Sequence, residues 1–210
     1  SEALLFLLPQ LQEALSIQCV TNEQNLGFVD SCNVGLTQCI KDGSDALLLN
    51  SDVLLAPGCL KELREVAYLD PMIGFANPRS NNATICSLPL RWADEKITFS
   101  EAYKRFIELS KPLSRFHFIP TGVGFCLFIK NHILRDFGVL DQVYSPGYNE
   151  ENDFIFRANR CGYRVALANK AFAFHELSSS FTTEKRLELD ARNRATLVRR
   201  YPEYDELIQR

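Results

Sequence analysis

The chain has no stretch approaching the roughly 18–20 consecutive apolar residues that a bilayer-spanning helix needs. Its opening apolar run, residues 3–8, has no basic residue before it, so it is not read as a secretion signal. No two of the seven cysteines form a C-x-x-C pair, and their number is odd. A zinc knuckle and a disulfide framework are therefore not expected; the thiols are read as reduced and mostly buried, in a cytoplasmic protein. No G-x-G-x-x-G opens a helix after a strand, and no G-x-x-x-x-G-K-[ST] phosphate loop occurs. Excess positive charge is also missing: net charge is -3 and pI about 5.7, which disfavours nucleic acid as a partner. Repeats, low-complexity tracts and long linkers are absent. Methionine occurs once, as Met72, and the first residue is Ser1. The chain is therefore read as part of a longer polypeptide.

What is present suffices for one cored domain. Hydrophobic residues make up 46% of 210, and charged residues 23%, which excludes disorder for the chain as a whole. Apolar spacing predicts helices over 1–15, 28–40, 57–69, 100–109, 131–137, 150–160 and 182–200. Strands are predicted over 16–20, 46–49, 72–76, 116–119, 124–129, 163–167 and 171–174. Strands alternating with helices imply an α/β fold with a mainly parallel, helix-covered sheet. Ligands in such sheets bind at the carboxyl ends of strands. The polar residues just after Leu49 and Phe174 are thus the first place to look.

Three groups could carry chemistry. Asn50-Ser51-Asp52 closes an apolar strand; an aspartate there either caps a turn or ligates a hard divalent cation through oxygen. Glu150-Glu151-Asn152-Asp153 opens a helix. Its carboxylates either follow the helix dipole, with Asp153 pairing Arg157 one turn on, or supply a general base. His175-Glu176 follows the strand Ala171-Phe172-Ala173-Phe174, while His117 and His132 have no comparable company. None of the three decides the function alone.

Their order is more specific. Asn25-Leu26-Gly27-Phe28, then Asn33-Val34-Gly35, then Leu47-Leu48-Leu49-Asn50-Ser51-Asp52 resembles family 2 glycosyltransferases of the GT-A fold. Further along, Gly147-Tyr148-Asn149-Glu150-Glu151-Asn152-Asp153-Phe154 with Arg157, Gly162-Tyr163-Arg164 and His175 is similar to that family's acidic block, G-Y segment and terminal histidine. Arg79-Ser80-Asn81-Asn82 resembles an S-N-N segment of one bacterial branch. The resemblance spans about residues 22–181. It implies a hexosyltransferase-type enzyme moving a sugar from a nucleotide-sugar donor to an acceptor hydroxyl with inversion, in surface polysaccharide or glycan assembly. It implies a divalent metal, Mn2+ or Mg2+, held by Asp52 and His175 against the leaving diphosphate. Donor contacts fall to Asn25, Gly27, Phe28, Asn33, Asn50, Asp52, Gly122 and Gly124. The two glycines either let the backbone approach the donor or simply turn the chain before a strand. The base is Glu151 by register, with Glu150 as the alternative.

The sequence also departs from the family. Asn50 replaces the first aspartate of D-x-D. No acidic nucleobase-reading strand precedes Asn22, so roughly 40–60 residues of an initial strand-helix-strand are expected to be missing, by ordinary βαβ dimensions. Residues 1–210 are thus read as a single partial GT-A domain, with 182–210 as a C-terminal helical extension. The missing part leaves strands needing cover from a partner chain or from residues outside this piece. The expected partners are a nucleotide-sugar and a glycan or lipid-linked acceptor, at the inner face of a membrane. The basic cluster Arg192, Arg194, Arg199 and Arg200 is read as a solvated helix face, or as a contact for anionic lipid. The competing reading is a non-catalytic GT-A-like binding or scaffolding module of a larger polypeptide.

Overall fold

A computed structural model describes residues 17–89, 97–176 and 183–209. The helix expected over 1–15 lies outside them. Residues 17–20 are exposed and form no strand, because no described strand lies beside them to pair with. The first helix, α1, is Gly27–Asp42, and a left-handed Gly43 ends it (φ 68°). β1 (Ala46–Leu49) follows, and then β2 (Val53–Leu55). α2 is Cys59–Ala67 and β3 is Ile73–Arg79. A short 3-10 turn, Thr84–Cys86, comes next. α3 (Phe99–Ser110) starts at Thr98, whose hydroxyl and Glu101 form a capping box. β4 (Phe116–Ile119), β5 (Cys126–Ile129) and α4 (Asn131–Phe137) lead to α5 (Glu150–Asn159). β6 (Arg164–His175), α6 (Thr183–Arg200) and α7 (Tyr204–Gln209) complete the chain.

The strands form one sheet in the order β1-β5-β3-β6-β2, with β4 also on β6. The α/β layout is as expected, but the sheet is mixed rather than mainly parallel. Only β3–β6 is a parallel pair; β1–β5, β5–β3, β4–β6 and β2–β6 are antiparallel. β1 and β2, joined by the short turn Asn50-Ser51-Asp52, do not pair with each other; each lies antiparallel on a later strand, β5 and β6 respectively. The two strands expected over 163–167 and 171–174 are one, β6. Its register against β3 jumps from Pro78↔Ala168 to Arg79↔Phe172, so Asn169, Lys170 and Ala171 bulge out. This bulge lets β4 pair with the first half of β6 and β2 with its end, where Val53 lies opposite His175. Among the described residues no strand pairs with the outer edge of β1.

The alternation of side chains along β5 divides the core. Leu127 and Ile129 pack with Val29, Leu36, Ile133, Leu134 and Phe154 on one face of the sheet. Cys126 and Phe128 pack with Leu63, Val66 and Ala166 on the other. A smaller group under α3 stacks Phe106 on Phe172 at 4.8 Å. α6, the turn after it and α7 contribute Leu197, Tyr201 and Tyr204 to the first cluster. The basic cluster is correspondingly tied down. Arg192 donates to the Ser145 carbonyl (2.6 Å), Arg194 pairs with Asp205 (2.6 Å), and Arg200 bridges Asp141 (2.7 Å) and the buried Asp153 (2.9 Å). All four arginines are nonetheless exposed, as expected for a solvated helix face.

One prediction arises at the start of α1. Gly27 has φ 79°, and a Cβ there would lie 2.8 Å from Pro146 Cβ. Gly27→Ala is expected to cost about 1–3 kcal/mol through the left-handed backbone and this clash. Thermal unfolding checks it, and a melting temperature equal to the parent's would refute it.

Candidate active site

The turn after β1 is held from two sides. Asn50 donates its N–H to the Phe125 carbonyl (2.9 Å), and Asp52 accepts from Glu176 N–H on its carbonyl (3.0 Å). The second bond follows from β2 lying antiparallel on the end of β6. Asp52 Oδ1 then lies 3.4 Å from His175 Nε2, with both side chains mostly buried. The ring of His175 stacks on Phe125, centroids 5.4 Å apart. Its Nδ1 lies 3.0 Å from the Asn82 carbonyl oxygen. A carbonyl only accepts, so Nδ1 carries a proton, and in the neutral ring Nε2 presents a lone pair toward Asp52.

The second group is built by α5. Its first-turn amides have no intrahelical acceptor, and the adjacent carboxyls fold back onto them. Glu151 accepts from its own N–H and from those of Gly124 and Asn152; Glu150 accepts from its own N–H and that of Tyr148. Even so, both carboxyls are pushed upward. Burial and then the Glu151 charge hold Glu150 well above the usual carboxylate range; burial raises Glu151. Oxygen Oε2 of each is shielded and has no partner. Glu150 faces α1, where burial and the Glu150 charge raise the Cys32 thiol to about 12. Asp153 has no exposure; it pairs with Arg157 (3.0 Å) and Arg200 and accepts from the hydroxyls of Tyr144 and Tyr201. It is a structural anchor, as one reading of the sequence expected.

The loop between β4 and β5 joins the two groups. Gly124 donates to Glu151, and a Cβ on it would sit 3.7 Å from the Glu151 carboxyl carbon. The next residue, Phe125, stacks on His175 and accepts from Asn50. Glu151 and His175 thus each contact one of two consecutive residues of this loop. The buried Asn77 fixes the loop: it donates to the carbonyls of Val123 (2.8 Å) and Cys126 (2.7 Å) and accepts from Val123 N–H (3.1 Å). Sequence reading missed Asn77. A Cβ on Gly122 would collide with Asn77 Oδ1, so this glycine is required by packing. A turn rule could have flagged Gly122, but nothing local flags Asn77.

Four expected donor residues have other occupations. Asn25 Oδ1 accepts from Gly27 N–H (2.9 Å), and Phe28 N–H donates to Pro146 O (2.8 Å). Asn33 pairs with both backbone groups of Leu140, at 2.9 and 3.0 Å. Their bonds lock α1 against the segment that leads into Glu150, rather than converging on Asp52. A surface depression of about 470 Å³ along α2, lined by Leu60, Lys61, Arg64, Glu65 and Tyr68, contains none of the expected residues.

The Glu150–Glu151 pair makes stability depend on pH. Where a folded carboxyl titrates above its unfolded value, the native state holds a proton that the unfolded chain has released. Stabilisation is therefore full below the unfolded value near 4.3 and is lost as pH climbs through the folded one. Glu150→Gln keeps the acceptor for Tyr148 N–H and removes the charge. It is expected to melt higher than the parent at pH about 8, with the gap closing toward pH about 4. An unchanged gap across that range would show that Glu150 is not the source.

Comparison with protein-family models and with curated proteins gives no match. Solved structures do match. The structure of GalNAc-T7 with UDP, GalNAc and Mn2+ superposes with a TM-score of 0.59 and 15% identity, over 81% of this chain and 34% of that one. The mannosyltransferase PcManGT from Pyrobaculum calidifontis, in complex with GDP-Man and Mn2+, gives 0.60 and 11% identity over 98% and 52%. The chain thus spans about a third and about half of these two proteins. At such identities the likeness establishes the fold, which is that of GT-A nucleotide-sugar transferases.

The donor set suits a divalent cation. A carboxylate oxygen and an imidazole nitrogen lie 3.4 Å apart, within reach of one small ion with bonds of about 2.1 Å. Among the described residues no group of three His, Cys, Asp or Glu side chains converges, so the remaining ligands would come from diphosphate and water. No described helix is long and apolar enough to cross a membrane.

Proposed function

We propose that the chain forms the catalytic part of an inverting glycosyltransferase that moves a sugar from a nucleotide-sugar to an acceptor hydroxyl. The observation that carries this reading is that Gly124 and Phe125, adjacent in sequence, touch Glu151 and His175 respectively. A base and a cation-binding pair therefore flank one short loop, as a displacement between hydroxyl and diphosphate requires. Asp52 and His175 would hold the cation, and Asn50 would offer a neutral hydrogen-bonding group to ribose or sugar. When bound, the cation offsets negative charge on the departing diphosphate. Glu151 takes the proton of the acceptor hydroxyl as that oxygen bonds to the anomeric carbon. The bond from that carbon to the diphosphate oxygen breaks, and its electron pair leaves with the nucleotide. Asn25, Gly27, Phe28 and Asn33 serve by holding the turn before Glu150. Glycan or lipid-linked acceptors, and a role in surface polysaccharide assembly, follow from the family resemblance.

A second reading, a binding module without catalysis, is favoured by one observation: among the described residues no third His, Cys, Asp or Glu joins the cation pair. Thermal unfolding with UDP, GDP, dTDP and CMP, with and without Mn2+, separates the two. One nucleoside diphosphate is expected to stabilise only with Mn2+, by about 2.7 kcal/mol at a hundred times its Kd. Asp52→Asn is expected to abolish the shift. Metal-dependent binding without hydrolysis of the matching nucleotide-sugar would favour the module.

A further inference from the structure

The Ser80-Asn81-Asn82 segment stands out in the sequence, and the reading above gives it no task. It leaves the end of β3 as a small closed loop. Ser80 N–H donates to Cys86 O (3.1 Å), Leu88 N–H returns to Ser80 O (2.9 Å), and Ala83 N–H donates to Ser87 Oγ (2.9 Å). The ladder between β3 and β6 ends at Arg79↔Phe172, three residues short of His175. Beyond that point the side chain of Asn81 replaces the departed strand. Its Oδ1 accepts from His175 N–H (2.7 Å) and its Nδ2 donates to His175 O (3.0 Å). Asn81 is buried, so these bonds are shielded from water. The next residue then accepts from the imidazole itself, through the Asn82 carbonyl at 3.0 Å from Nδ1.

We propose that Asn81 and the Asn82 peptide are positioning residues that present His175 Nε2 as a cation ligand beside Asp52. Asn81 fixes the backbone of His175, the Asn82 carbonyl fixes the tautomer, and Phe125 fixes the ring plane. Neutral imidazole in water favours the proton on Nε2, which would present a hydrogen to Asp52 instead of a lone pair. The carbonyl reverses that preference. Outer bonds of this kind orient imidazole ligands and change metal affinity by about 10–100-fold.

The inference deepens the metal-site reading and rests on it, so the test has two arms. Proton–nitrogen NMR of the metal-free full chain reports which ring nitrogen of His175 carries a proton. Its signal is assigned by loss in His175→Gln. Titration with Mn2+ in the presence of UDP or GDP, followed by the electron spin resonance of free Mn2+, reports affinity. The parent is expected to show Nδ1–H, and Asn81→Ala to lose that preference and weaken Mn2+ binding about 10–100-fold. Asn81→Asp keeps the acceptor for His175 N–H but not the donor, and is expected to fall between the two. It serves if the alanine variant does not fold. Nε2–H in the parent overturns the proposal whatever the metal does. So does an unchanged tautomer and affinity in both variants. Nδ1–H in a parent that binds no Mn2+ with either nucleotide would instead overturn the metal site and leave the orientation of His175 standing.

Discussion

Glu151→Gln is expected to lower sugar transfer by about 10²–10⁴-fold, the usual contribution of a positioned general base. Glutamine preserves an acceptor for the Gly124 N–H, so the loop that carries Phe125 stays in place. What is lost is the ability to take a proton. Nucleotide binding with Mn2+ is therefore expected to be unchanged, which separates this variant from Asp52→Asn. Glu150 is the rival, and the geometry sets it apart. It is buried against α1 beside Cys32, whereas Glu151 touches the loop next to His175 and keeps partial exposure. Glu150→Gln is expected to reduce transfer less. Because the two carboxyls interact, the acid limb of the pH–rate profile belongs to the pair and lies above the ordinary carboxylate range. The test is the turnover of both variants with any donor found by the nucleotide screen. Undiminished transfer by both would remove the acidic block from the chemistry.

The sequence makes some of this architecture legible and leaves the rest out of reach, for identifiable reasons. α1, α4 and α5 follow from helical apolar spacing, because each buries one face, and β1, β4 and β5 from short apolar runs that pack into the two core clusters. β2 escapes notice because three residues carry no period; it exists only because the end of β6 supplies a partner. The mixed direction of the sheet is likewise a property of pairing, which no single segment encodes. At the site, Asp52, Glu150, Glu151 and His175 are visible through the order of motifs. The residues that aim them are not. Asn77 and Asn193 act by pairing a side-chain amide with backbone groups 45 to 49 residues away, and Asn81, although its S-N-N motif is visible, makes the same kind of contact across 94. Such contacts have no local signature, and a lone asparagine reads as loop or cap. Asn33 shows the converse. Its motif was legible, but its amide closes on Leu140, so a recognisable pattern marked a latch rather than a contact with donor.

Asn193→Leu is expected to cost about 2–4 kcal/mol, the range for stranding several buried carbonyls. Asn193 is 1% exposed and donates to three of them: Tyr144 and Gly147, each at 2.8 Å, and Tyr148 at 2.9 Å. Those carbonyls belong to the turn that delivers Glu150 and Glu151. The turn needs holding, because Tyr148 (φ 76°) and Asn149 (φ 70°) both occupy the left-handed region. Asparagine tolerates that region, but a tyrosine there costs roughly 1–2 kcal/mol and persists only where its surroundings over-determine it. α6 supplies that determination twice, since Asn149 Nδ2 also donates to Asp190 (2.8 Å). α6 thus acts on the acidic block without entering the site. Tyr148→Gly relieves the strain at its source, so it is expected to recover part of the stability lost in Asn193→Leu. It is also expected to leave turnover low, because the carboxyls are no longer aimed. Melting temperatures of the two single variants and the double variant give the coupling. Strict additivity, or an Asn193→Leu protein as stable as the parent, would show that the turn holds its shape without α6.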